Sequence, residues 1–252
     1  MLTTITLILT TFVAVIVGVL IGAIGIGGVL LVPTLTFILG LGIHVAIATA
    51  MFTYLFSGAV GAFEYARQNS IRWSMALWLC LGGMPGAYLG AAMTWVTPGV
   101  ILEGLIGLLV LLSGLQALRG PSGAADSVAS LSPLPLVVIG VVTGFGSSIT
   151  GTGGPLVLIP ILIWMQVPIL TAVGLSQVIQ IPIALLATTG NLMFGRIEWL
   201  IGIGVAVLLM LGVIVGARIA HRVSRVTLKR FIAVALLLVG ASMLVRTITT
   251  LV

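Results

Sequence analysis

The chain has 252 residues, of which 60% are hydrophobic and only 6% charged, with a formal net charge of +6. Soluble domains carry about 25% charged residues, so this composition, with a mean hydropathy of +1.39, excludes a water-soluble globule and makes the bilayer the solvent. The lysines and arginines sit between apolar runs, where they read as cytoplasmic retention signals and not as a nucleic-acid surface.

In chain order, the first apolar run predicts a helix over residues 5–22. It has no basic residue before it and no small-residue cleavage site stands out, so it reads as a membrane segment and not as a cleaved signal peptide. The stretch Gly22-Ala23-Ile24-Gly25-Ile26-Gly27-Gly28 then breaks the helix, because each glycine costs about 1 kcal/mol relative to alanine. A short apolar segment with Pro33 follows at 29–40, and longer helices are predicted over 43–62, 73–95 and 99–118. Cys80, alone in its apolar run, has no disulfide or metal partner and reads as a structural thiol. Residues 120–133, rich in Gly, Ser, Ala and Pro, form a linker. Helices are then expected over 134–149, 155–167, 169–189, 198–220 and 226–249, with a second break from Gly144 to Pro155. Pro155 suits the first turn of a new helix. A membrane span needs about 20 residues, so the short segments after each break read as half-helices or as one side of a hairpin.

The second series of helices copies the first. At a shift of 126 positions Gly25, Gly27 and Gly28 meet Gly151, Gly153 and Gly154, Trp73 meets Trp199, and Gly86 and Gly90 meet Gly212 and Gly216. The chain therefore divides into a repeat over 1–119, the linker over 120–133 and a repeat over 134–252. With five segments per half, Arg67, Arg72, Arg119 and the basic run Arg218, Arg222, Arg225, Lys229 and Arg230 fall on one side, leaving Arg196 and Arg246 on the other. Four crossings per half would split the basic residues almost evenly. The positive-inside bias thus favours two inverted repeats with both termini outside, a recurring transporter plan. The fold expected is an all-α polytopic membrane protein with a broken or short helix pair in each repeat.

Two groups of residues are candidates for chemistry. The breaks at Gly25, Gly27 and Gly28 and at Gly151, Thr152, Gly153 and Gly154, with Ser147 and Ser148 just before the second, expose backbone N–H donors at helix termini. Two such termini converging at mid-membrane make an anion site without a buried lysine or arginine. Small residues also serve close helix packing, but recurrence in both halves favours the site. Polar residues interrupting the following helices form the second group: Ser176, Gln177 and Gln180, and Thr49, Thr53 and Ser57 at four-residue spacing. They either line a path or bind helices to one another; Ser57 is assigned to the latter. Glu64 and Glu103 fall near predicted helix ends, where snorkelling is cheap, and Glu64 is the candidate for ion coupling. His44 and His221 read as interfacial. No nucleophile-base pair, metal cluster or Walker loop is present in the sequence, so no enzyme and no cofactor is expected.

Gly25-Ile26-Gly27-Gly28 with Pro33, Ala46-Ile47-Ala48-Thr49-Ala50 and Ile71-Arg72-Trp73 resemble the TauE/SafE sulfite-exporter family, and so do Gly151-Thr152-Gly153-Gly154-Pro155, Ala172-Val173-Gly174-Leu175-Ser176 and Ile197-Glu198-Trp199. The resemblance spans essentially the whole chain. It implies a multi-pass permease of a prokaryotic plasma membrane for sulfite or small organosulfonates, with a small anion and membrane lipid as partners and no nucleic acid. A passive anion channel, a non-transporting membrane assembly and a homo-oligomer stay open. Ala50 stands where the second half has Ser176, so the two half-sites are chemically unequal.

Overall fold

The computed structural model describes residues 4–25, 27–118, 132–220, 237–238, 240–245 and 247–249. Arg119, Asp126 and almost all of the expected linker lie outside the described residues. So do His221, the basic residues from Arg222 to Arg230, Arg246, and much of the helix expected over 226–249. The elements are α1 (Thr4–Ile24), a 3-10 turn (Gly27–Leu30), α2 (Leu31–Phe37), α3 (Ile43–Ala66), α4 (Trp73–Val96) and α5 (Gly99–Leu118). They continue as α6 (Pro133–Thr150), α7 (Pro155–Trp164), α8 (Ile169–Phe194) and α9 (Trp199–Ala220). Six of these, α1, α3, α4, α6, α8 and α9, are long and apolar enough to cross a bilayer. The protein is an all-α polytopic membrane protein.

Two helices outrun their expected ends for the same reason. α3 continues through Glu64 to Ala66, and α8 continues through Thr188, Gly190 and Asn191 to Phe194. Their polar residues end the apolar run in sequence but are buried against other helices, so they meet protein and not lipid. Glu64 accordingly does not snorkel as expected. It is buried, and its Oε1 lies 3.6 Å from Nη2 of Arg218 at the end of α9. Replacing Arg218 with alanine leaves a nearly buried carboxylate without its cation, whereas Glu64→Gln leaves a neutral amide. Arg218→Ala is therefore expected to lower the melting temperature in detergent more than Glu64→Gln does. Equal shifts, or the reverse order, would show that the pair carries no such asymmetry.

Glycines set the helix pairs. Gly18 on α1 faces Leu209 and Gly212 on α9, and Gly22 faces Val213 and Ala217. Numbers rise together, so the two helices run in the same direction. On α4 and α6 the arrangement recurs: Gly82 faces Val137, Gly86 faces Val141 and Gly90 faces Phe145 and Ser148. A methyl on Gly18 would come 2.5 Å from the Leu209 carbonyl oxygen, so only glycine allows this backbone approach. Between lipid-bathed helices, such close packing replaces the hydrophobic drive that water would supply. α4 also rises with α8, since Gly83 meets Ile179 and Ile183, and Trp95 meets Asn191 and Gly195. α3, joined to α4 by the tight turn at 67–72, crosses α8 in the opposite sense: Tyr54 meets Gln180 while Gly61 meets Gln177. Tyr54 and Gln180 are 126 positions apart, so two positions that the sequence shift pairs are in contact.

Candidate functional site

The site is built by the two glycine breaks. At the end of α1, Gly25 takes a φ of +77°, a left-handed conformation that glycine adopts without the Cβ penalty. The chain then doubles back, and Gly27 packs on Val17 and Ile21 of the helix it has just left. In the second half, Gly151, Gly153 and Gly154 all have positive φ, at 65°, 80° and 117°. Gly151 caps α6 by donating its N–H to the Ser147 carbonyl, and Gly154 precedes Pro155 at the first turn of α7.

These breaks meet each other. A methyl on Gly28 would lie 2.9 Å from the Thr152 carbonyl oxygen, and one on Gly153 would lie 2.8 Å from the Tyr54 ring. Gly25 faces Ile159 and Pro155 of α7 and Ser176 of α8. Tyr54, fully buried, donates its hydroxyl to the Gly28 carbonyl at 2.6 Å, which ties α3 to the first break. In lipid or in a dry protein centre, an unpaired phenol or carbonyl costs several kcal/mol, so this bond fixes both groups.

The polar residues of α8 divide by what they bind. Gln180 donates to the Tyr54 carbonyl and to Ser57 Oγ, both at 3.1 Å, and Ser176 Oγ donates to the Val173 carbonyl at 2.7 Å. Gln177 donates to the Ile21 carbonyl at 3.2 Å, while its own side-chain oxygen has no partner. Thr49 accepts the backbone N–H of Glu198 at 3.1 Å and so anchors α3 to the turn before α9. Thr150 and Thr152 bond each other at 3.1 Å, and Ser147 and Ser148 are buried with their hydroxyls unpaired. The structure thus brings Gly28, Thr152 and Gly153 together around Tyr54, sets Gly25 against Ser176 and Pro155, and packs Gly151 on Val32 and Ile47. It sets Thr49 and Glu64 at opposite ends of α3.

Three residues at the site escape a sequence reading. Tyr54 looks like one more core aromatic, Tyr65 donates to the Gly22 carbonyl at 2.9 Å, and Asn191 accepts the Trp95 indole N–H at 2.8 Å. Only the polarity of Asn191, three residues before the end of α8, signals it in advance.

Comparison with known proteins agrees over the same span. The family model described as "Sulfite exporter TauE/SafE" matches residues 10–243. "Probable membrane transporter protein YdhB" of Bacillus subtilis (strain 168) is 28% identical over 221 residues, covering 84% of this chain and 89% of the relative. A "Probable membrane transporter protein" of Xylella fastidiosa (strain 9a5c) is 28% identical over 192 residues, with 73% and 74% covered. "Probable membrane transporter protein YjnA" of Bacillus subtilis is 25% identical over 244 residues, covering 91% of this chain and 96% of the relative. No solved structure matches the chain.

Proposed function

Because the chain belongs to the TauE/SafE sulfite-exporter family of membrane transporters, we propose that it is a secondary carrier for a small sulfur oxyanion or organosulfonate. It works by alternating access in a prokaryotic plasma membrane. The observation that carries this reading is the meeting of the two breaks, Gly28 on Thr152 and Gly153 on Tyr54. Gly25, Gly27 and Gly28 on one side, and Gly151, Thr152, Gly153 and Gly154 on the other, present backbone groups to one point. Ser147, Ser148, Ser176, Gln177 and Gln180 border it, and Thr49 stands farther along the path.

The two halves are read as inverted repeats. Support comes from helix directions: α4 rises with α8, α3 turns back from α4, and α3 therefore opposes its own equivalent, α8. The same count puts Arg67, Arg72 and Arg218 at one end, which the positive-inside rule makes cytoplasmic. The tight contacts between the breaks favour a carrier, because a solute passes only if the halves rearrange. Glu64, facing Arg218 at the cytoplasmic end, is the group proposed to respond to a proton or ion gradient.

Proteoliposomes loaded with sulfite or methanesulfonate test this reading. The expected result is saturable flux that responds to an imposed pH or ion gradient and loses that response in Glu64→Gln. Flux that never saturates would make the protein a passive anion channel, and no flux of any sulfur anion would reject transport of this substrate class.

A further inference from the structure

We propose that the second half alone carries an oxyanion-binding subsite, made by the unpaired donors of Ser147, Ser148, Thr188 and Asn191 beside Thr143. It rests on the reading that the chain transports a small anion. Seven buried side-chain atoms lack a hydrogen-bond partner among the described residues, and five of them belong to these residues of α6 and α8. Many hydroxyls elsewhere in the helices satisfy themselves by bonding back one turn, as Thr10 does to Thr6, Thr34 to Leu30, Thr94 to Gly90 and Thr150 to Gly146. Thr143, Ser147, Ser148 and Thr188 do not, and Thr36 on α2 is the one buried hydroxyl outside this cluster, among the described residues, that has no partner.

Their placement is shared. α4 packs against both stretches at one level: Gly90 touches Ser148 and the next residue, Ala91, touches Gly190. One turn on, Thr94 Oγ1 approaches the Ser148 carbonyl at 3.4 Å and the Trp95 indole donates to Asn191 Oδ1 at 2.8 Å. Thr188 sits one turn before Asn191, and Thr143 one turn before Ser147. The cluster lies toward the C-terminal end of α4, opposite Arg67 and Arg72 and just ahead of the glycine break.

Its polarity is fixed. An indole N–H only donates, so Trp95 forces the Asn191 oxygen to be the acceptor and turns the amide N–H groups outward. Those groups, fully buried and without an acceptor, call for a ligand that accepts. α4, α6 and α8 contain no aspartate or glutamate, so nothing on them repels an anion. With no lysine or arginine on these three helices either, the anion is held by neutral donors, weakly enough to be released.

The first half shows that this is not inherited packing. At the 126 shift, Thr143, Ser147, Ser148, Thr188 and Asn191 become Val17, Ile21, Gly22, Ala62 and Tyr65. There the Tyr65 hydroxyl bonds the Gly22 carbonyl at 2.9 Å, and the side chains at the other four positions carry no polar atom. One copy is closed by a tyrosine; the other keeps a shorter amide and free donors.

The test is sulfite binding to purified protein by calorimetry, together with sulfite flux in proteoliposomes. Asn191→Asp, which replaces the donating amide by a carboxylate, and the double variant Ser147→Ala, Ser148→Ala are each expected to weaken binding about ten-fold or more and to raise the KM for flux. Thr189→Val, next to Thr188 but with an exposed hydroxyl that bonds back to the Leu185 carbonyl, is expected to leave binding within about two-fold of the parent. Asn191→Leu serves as a second variant, keeping the volume if the aspartate impairs folding, and size-exclusion profiles confirm assembly. Parent-like binding in the folded variants, with parent flux intact, overturns the subsite and assigns the donors to bound water, while the carrier reading stands. Absence of sulfite binding and flux in the parent protein overturns both.

Discussion

Replacing Gly153 with leucine is expected to abolish transport while leaving the protein inserted in the membrane and assembled. Gly153 has a φ of +80°, where an L-residue pays about 1–2 kcal/mol. A methyl there would already stand 2.8 Å from the buried Tyr54 ring. Tyr54 has no room to yield, because its hydroxyl is bonded to Gly28 and its carbonyl to Gln180. The added side chain therefore pushes the two breaks apart at the point where they meet. Gly27→Leu acts on the other break, since a methyl at Gly27 meets the Val17 carbonyl and Leu20 at 2.5 Å and lifts the 3-10 turn from α1. Neither residue belongs to the long helix pairs, so the cost is local. Flux assays beside size-exclusion profiles check it. Parent flux in both variants would sink the site as described.

The opposite outcome is expected for Gly86→Leu on α4 and for its equivalent Gly212→Leu on α9: no correctly assembled protein is recovered. Gly86 lies against the Val141 carbonyl and Gly212 lies 2.8 Å, by its would-be methyl, from the Gly18 α-carbon. Overpacking a core typically costs about 1–3 kcal/mol when side chains can shift. Here the neighbour is backbone of a parallel helix, which shifts only if the whole helix pair separates. The same glycine stripe holds α1 to α9 and α4 to α6, so the two variants should fail alike. A monodisperse, thermally stable Gly86→Leu protein would contradict that expectation.

The contrast between these two glycine classes shows where a sequence reading ends. Gly25–Gly28 and Gly151–Gly154 are clustered, repeat at 126 positions and precede short apolar segments, so they announce themselves as helix breaks. Gly86 and Gly212 repeat just as faithfully, but spacing does not say whether a helix lies against them. Glu64 illustrates the same limit for charge. Read along the chain it ends a helix, whereas in space it extends α3 into the reach of Arg218, 154 residues away in sequence.

Composition by itself determined that this is a helical membrane protein, and the local order of glycines determined where α1 and α6 end. These are properties of residue type and local order, since lipid selects apolar helices and glycine runs weaken them wherever they sit. Tertiary structure alone decided which polar groups are spent and which are free. Gln180 and Ser57 are engaged with each other and with Tyr54, while Asn191, held by Trp95, keeps its amide hydrogens unpaired. A hydroxyl can bond back to its own helix, but the amides of Gln177, Gln180 and Asn191 find their partners on other helices, and which helix that is depends on how the chain packs.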